Sequence, residues 1–327
     1  MRSLVFVATD KMEIHDTPEP VVGTDDVLIR VDAVGICGSD LHAYKGHDPR
    51  RVPPMTLGHE FVGTVLGGKL AGRRFTANPL VVCGRCRYCT QGRTNLCSDR
   101  TMIGMSRPGA FAERLAVPTS CLVPVPAGVS DRAAALTEPA ATVVHALHLG
   151  ERALMRPLAE GRALVLGAGA IGLLAVLALQ RRGVVVSVVE TNALRAGTLT
   201  RATGLSPILA GGVEDTYEFV FDAVGVAATR DLAIRSAAPG GVVVHAGLGD
   251  WTSPLDWRSL TLREITLIGC YTYTNADLGA AIALLGSGGF GALDWVEERP
   301  IEAGAEAFAE LAAGKVASPK IVLRPGG

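Results

Sequence analysis

The segment Ala163-Leu-Val-Leu-Gly167-Ala-Gly169-Ala-Ile-Gly172 decides the fold of one half of this chain. It has the pattern G-x-G-x-x-G, follows a short apolar strand and opens an apolar helix. The first glycine permits a tight turn, the second lets the backbone approach a pyrophosphate, and the third lets the helix pack closely on the sheet. The helix N-terminus then faces the phosphates. The segment therefore predicts a dinucleotide site in a strand–turn–helix unit.

A second predicted strand ends in an acidic residue. It covers residues 184–190, and Glu190 stands 23 residues after Gly167. A carboxylate at this place would accept hydrogen bonds from the adenosine ribose hydroxyls and repel a 2′-phosphate, which favours NAD over NADP. A solvated helix cap is the alternative interpretation of Glu190.

Apolar strands continue to alternate with helical sequence beyond this unit. A helix is predicted at 227–238, and further strands are predicted at 219–225, 241–247 and 265–269. Such alternation is typical of an α/β domain with a doubly wound, mostly parallel sheet. The apolar run at 163–179 approaches the length of a membrane span, but its three glycines favour a buried strand, turn and helix. No transmembrane segment is expected.

Four cysteines, Cys83, Cys86, Cys89 and Cys97, lie within fifteen residues. The spacing C-x2-C-x2-C-x7-C lets one short loop place four thiolates around a single ion. Thiolate sulfur favours zinc, and a shell of four cysteines leaves no open coordination position, so the loop predicts a structural zinc site. An iron–sulfur cluster is the main chemical alternative, because such clusters also take four thiolates.

A third group of residues predicts a catalytic metal site. Cys37, His59 and a carboxylate such as Glu60 would give zinc a sulfur, nitrogen and oxygen ligand set with a position left for water or substrate. Asp40 could orient His59 from behind the ligand shell. Taken singly, these residues also have ordinary interpretations, as a buried thiol or as a charge solvated at a strand edge.

Polar residues around this group suggest a route for a proton. Ser39 could pass a substrate proton onward, and His42 is a candidate relay towards solvent. The basic residues His47, Arg50 and Arg51 could recognise a phosphate or carboxylate, but we expect them to lie in a solvated loop.

Length and charge set the outer bounds. The 327 residues predict about two domains, and the part before residue 150 has the short β-branched runs of a β-rich domain. A net charge of −1 gives no electrostatic footprint for nucleic acid or an anionic membrane. The N-terminal residues 1–10 read as a strand rather than a signal peptide, and the clustered cysteines suit a reducing cytoplasm.

Together these motifs resemble the zinc-containing medium-chain alcohol dehydrogenases, especially the polyol branch with sorbitol, butanediol and threonine dehydrogenases. The resemblance is carried by Cys37-Gly-Ser-Asp-Leu-His42, Gly58-His-Glu60, the loop at 83–97, Glu138-Pro139 and Gly167-x-Gly-x-x-Gly172. It implies a GroES-like β-rich catalytic domain at 1–138 and 272–327 and a Rossmann cofactor domain at 139–271. It also argues against an iron–sulfur cluster.

The resemblance assigns roles to individual residues. Cys37 and His59 would be zinc ligands, Glu60 a direct or exchangeable ligand, and Glu138 would stand where classical alcohol dehydrogenases carry a third ligand cysteine. Thr142, one helical turn after Glu138, would point towards the nicotinamide. The expected cofactor-binding residues are Thr142, Gly167, Gly169, Ala170, Ile171, Gly172, Glu190, Arg195, Val224 and Leu248.

The implied activity is oxidation of a secondary alcohol or polyol to a ketone, with hydride transfer to NAD. Threonine, a sugar phosphate or an aminocyclitol are alternative substrates within the family. Zinc-free reduction of a quinone or enone by NADPH and a non-catalytic, dinucleotide-sensing role are the alternatives outside it. A homo-oligomer, dimeric or tetrameric, is expected because the apolar strand at 265–270 lacks the lysines or proline that protect an exposed edge.

The sequence departs from the family pattern in two places. The turn at 66–72 is shortened, and so is the segment at 205–218, where a strand and a helix are usual. The second departure lies on the adenine side of the expected cofactor pocket.

Overall fold

The computed structural model describes residues 1–326. The strands are β1 (Arg2–Ala8), β2 (Lys11–Asp16), β3 (Asp26–Gly35), β4 (Met55–Thr56), β5 (Glu60–Val65), β6 (Arg74–Ala77), β7 (Leu80–Val81), β8 (Thr101–Met102), β9 (Arg114–Pro118), β10 (Leu122–Pro124), β11 (Arg162–Leu166), β12 (Val185–Val189), β13 (Tyr217–Asp222), β14 (Ala237–His245), β15 (Thr266–Gly269), β16 (Val296–Pro300) and β17 (Lys320–Arg324).

The α-helices are α1 (Gly38–Tyr44), α2 (Arg87–Thr90), α3 (Asp131–Ala135), α4 (Thr137–Ala153), α5 (Ala170–Arg181), α6 (Ala193–Thr203), α7 (Ala227–Ser236), α8 (Trp257–Leu262), α9 (Asn275–Gly286) and α10 (Gly304–Ala312). Short 3₁₀ turns lie at Gly68–Leu70, Thr94–Leu96, Thr119–Cys121, Leu158–Glu160, Ala210–Gly212 and Ile301–Ala303.

Strands β11 to β15 form one parallel sheet in the order β12-β11-β13-β14-β15. Its inner strands β11 and β13 are mostly buried and rich in valine, leucine and phenylalanine, as strands covered on both faces are. The predicted doubly wound sheet is confirmed. Strand β13 ends at Asp222, earlier than expected, because the Asp222 carboxylate accepts hydrogen bonds from the backbone N–H groups of Val224 and Gly225 and closes a turn.

The shortened segment at 205–218 costs this sheet an outer strand. Only a single parallel bridge between Val189 and Ile208 remains, with the Ile208 N–H donating to the Val188 carbonyl at 2.7 Å. The turn at 66–72 is likewise reduced to one 3₁₀ turn, which the Gly72 N–H closes by donating to the Val65 carbonyl.

A second, mainly antiparallel sheet has the strand order β10-β6-β5-β3-β17-β16, with β9 also paired to β3. This sheet contains strands from before and after the parallel-sheet segment of the chain. The late strand β17 pairs antiparallel with the end of the early strand β3. Strand β3 leads directly into Cys37, and β5 begins at Glu60. The strand at the C-terminal side of the chain therefore lies beside the predicted catalytic metal site.

Helix α4 connects the two regions. Its first turn holds Glu138 and Pro139, as predicted, and proline is tolerated there because the first helical N–H groups have no intrahelical partner. Further along, α4 packs against α5, α9 and β14. Among residues 1–326, none of the helices combines the length and the apolar character that a bilayer crossing requires.

Candidate active site

Cys37, His59 and Glu60 lie together, with one ligand atom from each within 4.8 Å of the others. Antiparallel pairing of β3 and β5 sets Gly35 opposite Glu60. A Cβ at Gly35 would stand 2.3 Å from Glu60 Oε2, so glycine is required for the carboxylate to fit. Cys37 caps α1, where the Ser39 N–H donates to its sulfur at 3.5 Å.

Asp40 stands behind His59, as predicted. Its Oδ1 lies 3.4 Å from His59 Nδ1, and both side chains are buried. Burial opposes a charged ring, but Asp40 and Cys37 outweigh it and raise the pKa of His59. Within residues 1–326, neither of these two atoms completes a hydrogen bond. This arrangement fits a metal-binding histidine: the carboxylate orients the ring at Nδ1, and the other ring nitrogen is left to bind the metal.

Lys320, on β17, forms an ion pair with Glu60 that the sequence did not indicate. The Lys320 Nζ lies 2.6 Å from Glu60 Oε2 and also donates to the Ile36 carbonyl at 2.8 Å. The two side chains are 2% and 1% exposed. Burial lowers the pKa of Lys320, but the Glu60 charge outweighs it and the pKa is raised. Lys320 is therefore positively charged at neutral pH.

Glu138 is buried nearby but lies outside the group formed by Cys37, His59 and Glu60. Its Oε1 accepts a hydrogen bond from the Tyr273 hydroxyl at 2.8 Å. Burial raises the pKa of Glu138 to about 7, with His59 acting in the opposite direction. The structure thus brings three of the four expected ligands together. The fourth, Glu138, is hydrogen-bonded to Tyr273 instead.

Ser39 faces His59, with Oγ 3.4 Å from Nε2. Arg51 donates to the same Oγ at 3.2 Å and to the Ser39 carbonyl at 2.9 Å. The expectation of a solvated loop is wrong for Arg51, which is buried against Asp48, and right for the exposed Arg50.

His42 is half-buried, one turn along α1 from Ser39, and its ring centroid lies 6.3 Å from that of His47. Burial, with smaller effects of His47 and Arg51, lowers the pKa of His42. Within residues 1–326 no direct hydrogen bond joins Ser39 to His42. A relay between these residues would therefore pass through water.

The four-cysteine loop gathers Cys83, Cys86, Cys89 and Cys97 into one group of sulfurs within 4.8 Å. Sulfur–sulfur distances of 3.5 and 3.6 Å exclude disulfides between these pairs. Backbone N–H groups, above all that of Cys89, donate hydrogen bonds to the Cys86 sulfur and lower the pKa of Cys86 to about 6. Burial raises the pKa of Cys89 to about 12, so four thiolates require a cation among them. This donor set fits zinc.

The glycine turn after β11 forms an open cradle. Gly167 has φ +90°, and a Cβ there would stand 2.4 Å from Val224 Cγ2. A Cβ at Gly172 would stand 1.8 Å from the Gly167 carbonyl oxygen, whereas Gly169 faces open space at the N-cap of α5. Ala170 is the first residue of this helix. A pyrophosphate fits this cradle because its backbone can approach closely.

Glu190 follows β12 at the edge of the cradle, but its carboxylate is already engaged. It accepts hydrogen bonds from the backbone N–H groups of Ala168 and Asn192 and two from the Arg195 guanidinium. Burial would raise the pKa of Glu190, but these donors, led by Arg195, lower it. A carboxylate offers about four lone-pair positions, so a ribose hydroxyl would have to displace one of these donors.

Three further expected cofactor residues, Ile171, Val224 and Leu248, follow the C-terminal ends of strands in the parallel sheet. Val224 and Leu248 occupy the turns after β13 and β14, and Leu248 is exposed. Ile171 lies in the first turn of α5, and Thr142 is half-buried on α4, four residues after Glu138.

Comparisons with known proteins agree with this geometry. Residues 23–127 match the alcohol dehydrogenase GroES-like domain, and residues 170–287 match the zinc-binding dehydrogenase domain. An L-threonine 3-dehydrogenase from Rhizobium etli is 32% identical over 79% of this chain and 79% of its own. The chain belongs to the medium-chain zinc-binding alcohol dehydrogenases.

Solved structures of this family show the same two-part fold. An alcohol dehydrogenase from Thermus sp. ATN1 superposes with a TM-score of 0.90 at 29% identity, over 99% of both chains. An acetophenone reductase from Geotrichum candidum, in complex with NAD, superposes with a TM-score of 0.88 at 29% identity, over 99% of this chain and 96% of its own. The predicted GroES-like and Rossmann fold of this dehydrogenase is confirmed.

The contacts of three side chains in the dehydrogenase site were not predicted from the sequence. Lys320 gave no signal, because a lysine at the start of a strand is usually solvated. Tyr273 is fully buried and donates its hydroxyl to Glu138, a contact that nothing in the local sequence indicates. Arg51 was assigned to a solvated loop. Each depends on a contact between segments that are distant in sequence or on the fold of a loop.

Proposed function

We propose that this dehydrogenase oxidises a secondary alcohol or polyol to a ketone with NAD, at a zinc site formed by Cys37, His59 and a carboxylate. The observation that carries the proposal is the buried sulfur, nitrogen and oxygen donor set beside Ser39. When bound, zinc supplies Lewis-acid polarisation of an alcohol oxygen, and the nicotinamide supplies the hydride acceptor.

The protein's own groups then orient the substrate and move its proton. Asp40 holds the His59 ring. Ser39 stands beside the donor set and accepts the proton that the alcohol loses. His42, with its lowered pKa, is neutral at pH 7 and can receive a proton through water. Glu138 is a second buried carboxylate of the site, and it accepts a hydrogen bond from the Tyr273 hydroxyl.

The two expected carboxylate ligands, Glu60 and Glu138, have different places in this proposal. Glu60 lies within ligand distance of Cys37 and His59, so we propose it as the carboxylate nearest the metal. Glu138 lies outside this group, and one of its oxygens accepts a hydrogen bond from the Tyr273 hydroxyl. The four-cysteine loop would hold a second, structural zinc, whose closed shell takes no part in turnover.

A substrate panel tests the proposed function. Polyols, vicinal diols, simple secondary alcohols, sugar phosphates and L-threonine are offered with NAD, and NADH formation is measured alongside zinc content. We expect about two zinc ions per chain and turnover of a polyol or diol. Full activity after complete metal removal would overturn the zinc chemistry. Threonine is the second candidate substrate, supported by the L-threonine 3-dehydrogenase relative.

We expect NAD to be preferred over NADP, and the contacts of Glu190 give two variants with opposite effects. Glu190→Ser removes the like charge facing a 2′-phosphate and frees Arg195 to bind it, so kcat/KM for NADP relative to NAD should rise by about tenfold or more. Arg195→Ala frees the Glu190 carboxylate and should lower that ratio. A wild-type preference for NADP would mean that Arg195 dominates the pocket.

We also propose a homo-oligomer formed through the outer edge of β15. This strand ends the parallel sheet, its Leu267 is 39% exposed, and the preceding helix α8 carries the exposed Trp257 and Leu262. Pairing with a second copy would cover this apolar edge. A tetramer is expected from the family resemblance. Light scattering at micromolar concentration tests the assembly, and a monomer mass would contradict it.

The division into a catalytic domain at 1–138 and 272–327 and a cofactor domain at 139–271 stays a proposal. It is supported by the pairing of β17 with β3 and by the continuous run of β11 to β15. We also propose a cytoplasmic location, because a four-thiolate zinc loop requires a reducing environment.

A further inference from the structure

Arg51 is a buried cation in contact with Ser39. Its side chain is 1% exposed, and it pairs with the buried Asp48, whose Oδ2 accepts from Nη1 at 3.0 Å. The same Nη1 donates to the Ser39 carbonyl at 2.9 Å, Nη2 donates to Ser39 Oγ at 3.2 Å, and Nε donates to the Gly104 carbonyl at 3.4 Å. The guanidinium is thus fixed by three separate segments of the chain.

This arrangement determines how the Ser39 hydroxyl can be used. A guanidinium has only donors, so Ser39 Oγ must accept from Arg51. A serine hydroxyl has two acceptor positions and one donor, which leaves one lone pair and one O–H for other partners. Without Arg51, the hydroxyl would be free to rotate and to accept from either side.

We propose that Arg51 is a positioning residue that gives the Ser39 hydroxyl a single direction of proton transfer. The inference rests on the proposed function, because it requires Ser39 to accept the substrate proton. The proton on Ser39 Oγ moves to solvent water, which builds negative charge on Oγ, and the substrate O–H bond breaks as its proton joins Oγ in turn. Ser39 ends the step as a hydroxyl, and the water has gained the one proton that the substrate has lost. Arg51 keeps its own protons throughout.

The charge of Arg51 supports the same role. A cation 3.2 Å from Oγ stabilises negative charge that develops there during the exchange. Its partner Asp48 also binds the exposed Arg50, so one carboxylate faces two guanidinium groups and cannot neutralise both. The cation also contributes to the lowered pKa of His42, after burial and His47, and so helps to keep that ring neutral.

A double-mutant cycle on the zinc-loaded protein tests the proposal. The variants are Ser39→Ala, Arg51→Met and the double variant, with Arg50→Met as the matched control from the same loop. Arg50 also pairs with Asp48 but is 58% exposed, and its hydrogen bonds do not include Ser39 among residues 1–326. Arg51→Lys keeps a cation near Asp48 and serves as a second probe of the cycle in case Arg51→Met fails to fold.

We expect Arg51→Met to lower kcat by about 10- to 100-fold, the usual cost of losing a partner behind a reacting group, with KM little changed. Its solvent deuterium isotope effect on kcat should rise. In the Ser39→Ala background, Arg51→Met should add less than about a threefold loss, because the residue it positions is absent. Arg51→Lys should show an intermediate loss with the same dependence on Ser39, and Arg50→Met should stay close to wild type.

The outcomes separate this inference from the proposed function. Full turnover in Ser39→Ala would contradict the serine's role in the proposed function. A large loss in Ser39→Ala combined with a fully multiplicative Arg51 loss would overturn the inference alone, because Arg51 would then act by a route independent of Ser39. An Arg51→Met loss seen mainly in KM would overturn it as well.

Discussion

Replacing His59 with alanine is expected to abolish turnover in a folded protein. The imidazole is the nitrogen donor of the buried group with Cys37 and Glu60, and Asp40 already holds its far side. Loss of a direct ligand should cost more than the roughly 10- to 100-fold that follows loss of a partner behind the ligands, so kcat should fall by at least about a thousandfold. Steady-state kinetics with the best alcohol of the panel and zinc analysis measure the effect.

Cys86→Ser is the matched comparison for this variant. Cys86 belongs to the closed four-cysteine group, remote in sequence from His59 and rich in backbone donors. Its loss should lower zinc content by about one ion and reduce stability or assembly more than chemistry. Near-normal turnover in His59→Ala would contradict the catalytic assignment, whereas a purely chemical defect in Cys86→Ser would contradict the structural one.

In protein whose catalytic site holds no metal, Lys320→Met is expected to lower the free energy of unfolding by about 3–5 kcal/mol, because it leaves the Glu60 carboxylate buried without a cation. The pKa of Lys320 is raised in the folded protein, so the contribution is fully present at neutral pH and is lost only above the ordinary lysine range. Urea denaturation at pH 7 measures the free energy of unfolding.

Two further variants sharpen this test. Lys320→Met combined with Glu60→Gln removes the unpaired charge and should recover most of the lost stability, since no buried ion is then left alone. Lys315→Met, at an exposed lysine five residues earlier, should change the free energy of unfolding by less than about 0.5 kcal/mol. Equal losses at both lysines, or no recovery in the double variant, would show that the buried pair is not the cause.

Local motifs account for the parts of the molecule that the sequence predicted. The turn from Gly167 to Gly172 and the loop from Cys83 to Cys97 are both short, so residue spacing alone limits their geometry. The cluster of Cys37 with His59 was also predicted, but from the ligand chemistry of these residue types and from the family resemblance; the pairing of β3 with β5 brings them together. Spacing was sufficient only for the two short motifs.

The rest could not be predicted because it depends on partners that are remote in the chain. Lys320 meets Glu60 across 260 residues, and Tyr273 meets Glu138 across 135. Glu190 was correctly seen as a carboxylate at the end of a strand, but nothing in the sequence shows that Arg195 and two backbone N–H groups occupy its oxygens. Periodicity identifies elements and does not identify which buried charges neutralise each other.

The pairing of β17 with β3 also has a consequence for the order in which the protein can mature on the ribosome. The five strands of the parallel sheet are continuous in the chain, so the nucleotide cradle can fold as soon as residues up to 269 have emerged. The antiparallel sheet is completed only when residues 320–324 have emerged, and with them the cation that pairs with Glu60. A nascent chain should therefore be able to form its nucleotide cradle before the Glu60 carboxylate beside Cys37 and His59 receives its lysine partner.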